Sequence, residues 1–319
     1  MAPLLILPFP DVRPSARSTR ISAPLESAFT DTFGRLLPSA TYLSTDHGRA
    51  AYYHITPSSH TTRPRRVLLV HGVQTPALGL LPLAQALLAR DPALSIVLVD
   101  LWGHGLTDTP EIAHTPSLFH GLITSVLDDV KWSSAHIIGY SFGGSLLAGY
   151  LASNPTKVDS AVLIAPAGLL RTSNFSPADR KVLQGDADVT DEEARSFMLD
   201  FLEDGELVIP PDWKEKVGRG EVVAEAIRFW ELAEHAGHEG SVLAILRHGG
   251  VVDNHSAFQT TVGKGVPCLA IVGTEDPVCS VTDLEEVGWS NVKVVQDAGH
   301  GLVRQRAEEV AGMIMEFWA

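Results

Sequence analysis

Cysteine is scarce: Cys268 and Cys279 are the only two in 319 residues. One possible bridge cannot staple a chain of this length, so nothing implies an oxidising compartment. Long apolar runs are missing too. The richest windows, 67–70 and 78–88, fall far short of the roughly 20 residues that a membrane-crossing helix needs. Positive charge is in deficit, with 24 Lys and Arg against 38 Asp and Glu and a net charge of −14. A chain this acidic repels phosphate backbones and anionic lipid, which argues against nucleic acid and membrane surfaces as partners. No basic residue precedes Arg13, and residues 1–10 hold three prolines. The start therefore lacks the charged region and apolar stretch of a signal peptide. The expectation is a cytoplasmic protein, with the sequons at Asn174 and Asn254 read as chance matches.

What is present is ordinary globular composition, 45% hydrophobic and 19% charged, which excludes a disordered or fibrous chain. Residues 1–38, rich in Pro, Ser and Arg, read as an irregular arm with a short amphipathic helix over 25–37. Two strand-like runs, 40–44 and 49–55, flank Asp46-His47-Gly48, which is hairpin turn chemistry. Continuous apolar runs at 67–70, 95–99, 136–139, 160–165, 267–272 and 292–295 read as buried strands. Between them lie stretches with helical spacing at 81–89, 116–130, 144–153 and 304–318. That alternation predicts an α/β fold, a mostly parallel central sheet with helices on both faces.

The pattern breaks between 168 and 264, which holds no convincing buried strand but has helical spacing over 191–202 and 221–234. This segment has 10 basic and 18 acidic residues and so carries −8 of the net −14. A helical insertion between two strands is the sequence image of a cap over the strands' carboxyl ends, where ligands bind in open α/β sheets. The expected organisation is an arm of 1–38, a core of 39–167 and 265–319, and a helical cap of 168–264 inserted after the sixth strand.

The strongest chemical signal is Gly139-Tyr140-Ser141-Phe142-Gly143, at a strand-to-helix junction. A serine on so sharp a turn is strained, and the turn closes only if the residues two before and two after lack side chains. It lifts the Ser141 hydroxyl above the sheet edge, with a helix N-terminus behind it to favour developing negative charge. A serine hydroxyl is a weak nucleophile and needs a base within hydrogen-bond reach. Thirteen histidines compete. His300, in Asp297-Ala298-Gly299-His300-Gly301 after the strand at 292–295, sits where a ring can swing over Ser141. The orienting acid is Asp276 or Glu275, in Gly273-Thr274-Glu275-Asp276-Pro277. Asp276 is preferred because the following proline biases it to an extended backbone. The backbone N–H groups of Val73 and Phe142 are the candidate oxyanion donors, with Gln74 able to assist. The His71 ring is read as bonding loop backbone rather than doing chemistry.

With these motifs in place, the chain resembles the α/β-hydrolase superfamily, in its cap-bearing branch, over residues 40–319. The matching pieces are His71-Gly72, Asp100-Leu101-Trp102-Gly103-His104-Gly105, Gly139 to Gly144, Gly273 to Asp276, and Gly299-His300. The resemblance implies Ser141 as nucleophile, Asp276 as acid and His300 as base, in the family's chain order. It gives the 100–105 stretch a structural role. Ser141 excludes the members with an aspartate nucleophile. The chain departs from many esterases in lacking further glycines after Gly72, and from lipases in having Tyr140 before the serine.

The expected activity is hydrolysis of an ester or lactone of a small to medium apolar molecule, without metal or organic cofactor. Carbon–carbon bond hydrolysis of a diketone-like substrate, or a lyase step on a polyketide, is the alternative within enzymes. A ligand-binding protein with little turnover is the alternative outside them. Gln74, Tyr140, Trp213 and Trp230 are candidate substrate contacts, although the spacing of the tryptophans suits cap packing equally. His235-Ala236-Gly237-His238-Glu239 hints at metal ligands, but Gly237 disfavours the helix needed to align them. Nothing points to a reactive thiol at Cys279. The oligomeric state is not read from the sequence.

Overall fold

In the computed structural model, residues 3–10, 19–58, 64–203 and 205–319 are described. The arm's residues 1–2 and 11–18, including Arg13, lie outside them. The arm contributes strand β1 (Arg20–Ile21) and helix α1 (Glu26–Phe33), whose Phe29 and Phe33 are buried. The hairpin follows as β2 (Thr41–Thr45) and β3 (Gly48–Ile55), with Thr45 paired to Gly48 across a two-residue turn. Strand β4 (Arg66–Val70), helix α2 (Leu81–Arg90) and strand β5 (Ser95–Val99) come next. A short β6 (Thr109–Pro110) pairs with β1, a two-stranded sheet with no periodic signal in the sequence. Helix α3 (Pro116–Asp129), strand β7 (Ala135–Tyr140), helix α4 (Phe142–Ser153) and strand β8 (Val158–Ile164) continue the alternation.

The insertion then runs through α5 (Pro177–Gln184), α6 (Asp191–Glu203), α7 (Trp213–Gly218), α8 (Ala224–Glu234), α9 (His238–His248) and α10 (His255–Thr261). The core resumes with β9 (Cys268–Gly273), α11 (Val281–Glu286), β10 (Val292–Val295), α12 (Leu302–Gln305) and α13 (Ala307–Trp318).

Eight strands form one sheet in the order β10-β9-β8-β7-β4-β5-β3-β2. Only the pairings of β3, with β2 and with β5, are antiparallel. Successive residues of the central strands point to opposite cores, as strand geometry dictates. Leu68, Val70, Val97 and Val99 face one, and Val67, Leu69, Ile96 and Leu98 face the other. Each such side chain contributes about 1.5–3 kcal/mol on burial, so these β-branched runs hold the sheet that the site is built on. The sixth strand of this sheet is β8, and the helical insertion follows it.

One local expectation changes and two gain a physical account. The helix over 304–318 is two helices, because Arg306 leaves helical geometry at φ −129. Its guanidinium donates instead to the carbonyls of Gln296 and Asp297, at 3.0 and 3.1 Å, which ties down the loop leading to His300. Gly237 interrupts the helical run as expected: α8 ends at Glu234, and α9 starts at His238 with Gly237 as its N-cap. A Cβ there would come within 2.2 Å of Thr109 Oγ1, so the glycine lets α9 approach the 100–110 loop. Lastly, residues 3–10 are irregular but packed: Leu4 and Leu7 are buried, and the Leu4 N–H donates to Asp191 at the start of α6 at 2.8 Å.

Candidate active site

Ser141 joins β7 to α4 with φ 53 and ψ −118, a strained backbone for a residue with a side chain. Its neighbours make this turn possible. A Cβ on Gly139 would sit 2.2 Å from the Gly143 carbonyl oxygen, and one on Gly143 would sit 2.2 Å from that of Val70. The backbone around Ser141 is fixed: its N–H donates to Ile164 at 3.0 Å, and its carbonyl accepts from Gly144 and Ala167 at 2.9 and 3.0 Å.

Two loops at the same sheet edge bring the imidazole and the carboxylate. Thr274 N–H donates to Val295 at 3.0 Å and Glu275 N–H to Ala298 at 2.9 Å, which laces the loop after β9 to the loop after β10. His300 Nε2 lies 2.9 Å from Ser141 Oγ. His300 Nδ1 lies 3.1 and 3.0 Å from the two Asp276 oxygens. The Asp276 side chain is wholly buried and also accepts from the Val278 N–H at 2.8 Å. With the carboxylate accepting at Nδ1–H, Nε2 is left to accept from the Ser141 hydroxyl. This line can carry a proton from an attacking hydroxyl to an imidazole whose positive charge is stabilised from behind. Glu275 is exposed and holds the loop only through its backbone. Burial pushes the Cys268 thiol up to about 11 and Cys279 higher still, so neither is a thiolate at neutral pH.

The loop after β4 lies against the serine, since a Cβ on Gly72 would be 2.9 Å from Ser141 Cβ. Among the described residues, the N–H groups of Val73 and Phe142 donate to no other group. Gln74 follows in left-handed conformation at φ 64, and its N–H donates to His104 Nε2 at 3.2 Å. His71 bonds only backbone, through Nδ1 to the Gly72 carbonyl at 2.6 Å and Nε2 to the Leu101 N–H at 2.9 Å. Its burial drives the pKa down to about 4, so the ring is neutral.

A cavity of about 270 Å³ opens beside Ser141 and His300. Val73, Gln74 and Tyr140 line it, and α6 and α8 supply Phe201, Leu202, Glu225 and Arg228. Tyr140 does more than form wall: its hydroxyl donates to the His300 carbonyl at 3.0 Å. Trp213 and Trp230 are not in this wall. Trp230 is buried against Phe29, with ring centroids 5.0 Å apart, and Trp213 packs near Phe33 at 6.4 Å. Both tie the insertion to α1, because their spacing answers a helix–helix contact rather than the cavity. The wall is mixed in character, since Thr75, Glu225, Arg228, Arg304 and Gln305 share it. Only Arg304 had a signal, standing four residues after His300.

Away from the cavity, His235 and His238 are buried and bond the carbonyls of Thr107 and Gly103, both at 2.9 Å. Glu231, with no exposure, accepts from the Gly105 N–H at 2.8 Å. These rings fasten α8 and α9 to the 100–109 loop. No group of three metal-ligating side chains occurs among the described residues. No described helix is long and apolar enough to cross a membrane.

Comparison with known proteins gives consistent matches. A model of the alpha/beta hydrolase family matches residues 67–313. The chain is similar to the dihydrolipoyllysine-residue acetyltransferase component of the acetoin cleaving system of Pseudomonas putida, at 26% identity over 72% of this chain and 59% of that protein. It spans about three fifths of the length of the first curated relatives it matches. The poly(3-hydroxyalkanoate) depolymerase of Ectopseudomonas oleovorans is 24% identical over 83% of this chain and 84% of its own. Among solved structures, the enol-lactonase from Burkholderia xenovorans LB400 superposes with a TM-score of 0.63 at 16% identity, over 87% of this chain and 99% of that one.

Proposed function

We propose that this chain, which belongs to the alpha/beta hydrolase family, is a serine hydrolase cleaving a small ester or lactone through an acyl-enzyme. Ser141 Oγ attacks the carbonyl carbon while His300 Nε2 takes its proton. Asp276 fixes the tautomer and stabilises the imidazolium. The Val73 and Phe142 N–H groups receive the oxyanion. His300 then protonates the leaving alkoxide, and later takes a proton from the water that releases the acid. The helices of 168–264 act as a cap over the core of 39–167 and 265–319, narrowing the site to small substrates.

The observation that carries this reading is the unbroken line from Ser141 Oγ through His300, with links of 2.9 and 3.0 Å, opening on a cavity. The similarity to a protein named as a poly(3-hydroxyalkanoate) depolymerase supports ester chemistry. Ser141→Ala should lower kcat on a short-chain chromogenic ester by about 10⁵-fold or more. A fluorophosphonate probe should label Ser141 in the unaltered protein and nothing in the variant. Turnover retained by Ser141→Ala sinks the proposal, as does preferential cleavage of vinylogous diketones over every ester and lactone tried.

A further inference from the structure

Two arginines reach the cavity wall, and they differ in one respect. Arg228 is fully answered: it pairs with Glu203 at 2.7 Å and Glu225 at 3.5 Å, and its Nε donates to the Ala224 carbonyl at 3.4 Å. Arg304 has no ion pair and no side-chain hydrogen bond among the described residues, and its Nη1 is buried without an acceptor. Its charge acts on Glu203 only through space. The head is nonetheless held in place. Its Cζ stands 5.6 Å from the centre of the Tyr140 ring, and a Cβ on Gly79 would lie 3.7 Å from Nη1.

We propose that Arg304 is the anion-binding group of the substrate pocket, so that the preferred substrate is an ester or lactone that also carries a carboxylate. The inference rests on the serine hydrolase reading and names its substrate class. A guanidinium is charged at every working pH and presents a planar fork that matches a carboxylate with two parallel hydrogen bonds. No acceptor among the described residues claims the guanidinium, so the part of it that lines the cavity is free to take such a ligand. The Tyr140 ring gives the fork a platform and limits its freedom, which lowers the ordering cost on binding. The shared cavity places this anion next to the carbonyl held at Ser141, and the volume of about 270 Å³ limits the whole to a compact molecule. The net charge of −14 does not oppose this, because surface charges are screened beyond about 8 Å at physiological ionic strength.

The experiment compares matched pairs at pH 7.5. On the acyl side, monomethyl glutarate is set against methyl pentanoate; on the alcohol side, 3-acetoxypropanoate against propyl acetate. The unaltered protein should prefer the anionic member of one pair in kcat/KM by about tenfold or more, the scale of one charge-assisted contact. Arg304→Gln should lose at least about tenfold more on the anionic member than on the neutral one, with Arg304→Lys between them. In parallel, binding of glutarate is measured by calorimetry to the Ser141→Ala protein and to the same protein carrying Arg304→Gln. Binding to the first, weakened about tenfold or more in the second, supports the subsite whatever happens to turnover. If Ser141→Ala still hydrolyses esters, the serine reading fails while the glutarate result still judges Arg304. No anionic preference in either pair, equal loss on both members, or no glutarate binding overturns the proposal.

Discussion

Two clusters in this molecule are built from the same groups, imidazoles and carboxylates, and only one is arranged for chemistry. At the sheet edge, His300 bonds two side chains, Ser141 and Asp276, and keeps 29% of its side-chain surface exposed. Between the 100–109 loop and α8–α9, His71, His104, His235 and His238, together with Glu231, are almost wholly buried. Their rings stand 5.1 Å apart from His71 to His104 and 4.7 Å from His104 to His238. Yet the hydrogen bonds of these rings go to peptide groups, such as Gly103, Thr107 and Leu101. A peptide N–H or carbonyl fixes a ring but exchanges no proton with it at neutral pH. Density of titratable groups therefore marks no active site by itself; the identity of the partner and access to a cavity do.

The largest test of this contrast is a pair of isosteric substitutions. Asp276→Asn keeps the shape but allows the wrong histidine tautomer, and kcat should fall by about 10⁴-fold. Glu231→Gln keeps the oxygen that accepts from Gly105, and burial already raises the Glu231 pKa well above its usual range. Its kcat should therefore change by no more than about tenfold, the worth of a hydrogen bond. Steady-state rates on one ester, with circular dichroism to confirm folding, decide the matter. Comparable losses in the two variants would erase the distinction between the clusters.

A smaller effect appears in stability against pH. Burial lowers the pKa of His71 and His114 to about 4 and of His238 to about 3, and that of His104 well below normal. In the unfolded chain each returns to about 6.5. Below that pH the unfolded state binds more protons than the folded one, so stability is complete above about 6.5 and falls as the pH drops. Asp100, raised to about 6, and Glu231 work in the opposite sense, since the folded state holds their protons more tightly. The histidines outnumber them. Each net proton taken up on unfolding removes about 1.4 kcal/mol per pH unit. The urea midpoint should accordingly fall between pH 7 and pH 5. A midpoint that is flat or rising over that interval contradicts the neutral, buried state of the rings.

The same contrast explains what could be read from the sequence. The sheet was legible because strands buried on both faces are short apolar runs, as at 95–99, where every residue is buried. Ser141 was legible because the turn tolerates only Gly139 and Gly143 around it, and that constraint is local. The close approach of α9 to the 100–110 loop was not, because the need for a glycine at 237 is set by Thr109, far away in sequence. Trp213 and Trp230 misled for the same reason: an aromatic at helical spacing looks alike whether it faces a ligand or Phe29. Arg228 meets Glu225 at helical spacing, but its shorter pairing with Glu203 on another helix, and the lack of any such partner for Arg304 among the described residues, are encoded by no spacing.

Tyr140 offers the finest distinction, because it belongs to the cavity wall and touches the proposed catalytic line at once. Its hydroxyl donates to the His300 carbonyl at 3.0 Å, while its ring lies 5.4 Å from the imidazole and under Arg304. The buried rings are held by hydrogen bonds to peptide groups; the loop of His300 has this side-chain anchor in addition to Thr274 Oγ1, which accepts from the Asp297 N–H, and the Arg306 contacts before it. Tyr140→Phe removes the hydroxyl and keeps the ring, so the platform for Arg304 survives. Loss of one such bond costs about 0.5–1.5 kcal/mol, or roughly two- to tenfold. Because the bond positions the base and touches no substrate, the loss should fall on kcat with KM nearly unchanged. A KM that rises while kcat holds would instead make the hydroxyl a substrate contact, and His300 would then owe its placement to Asp276 and the other anchors of its loop.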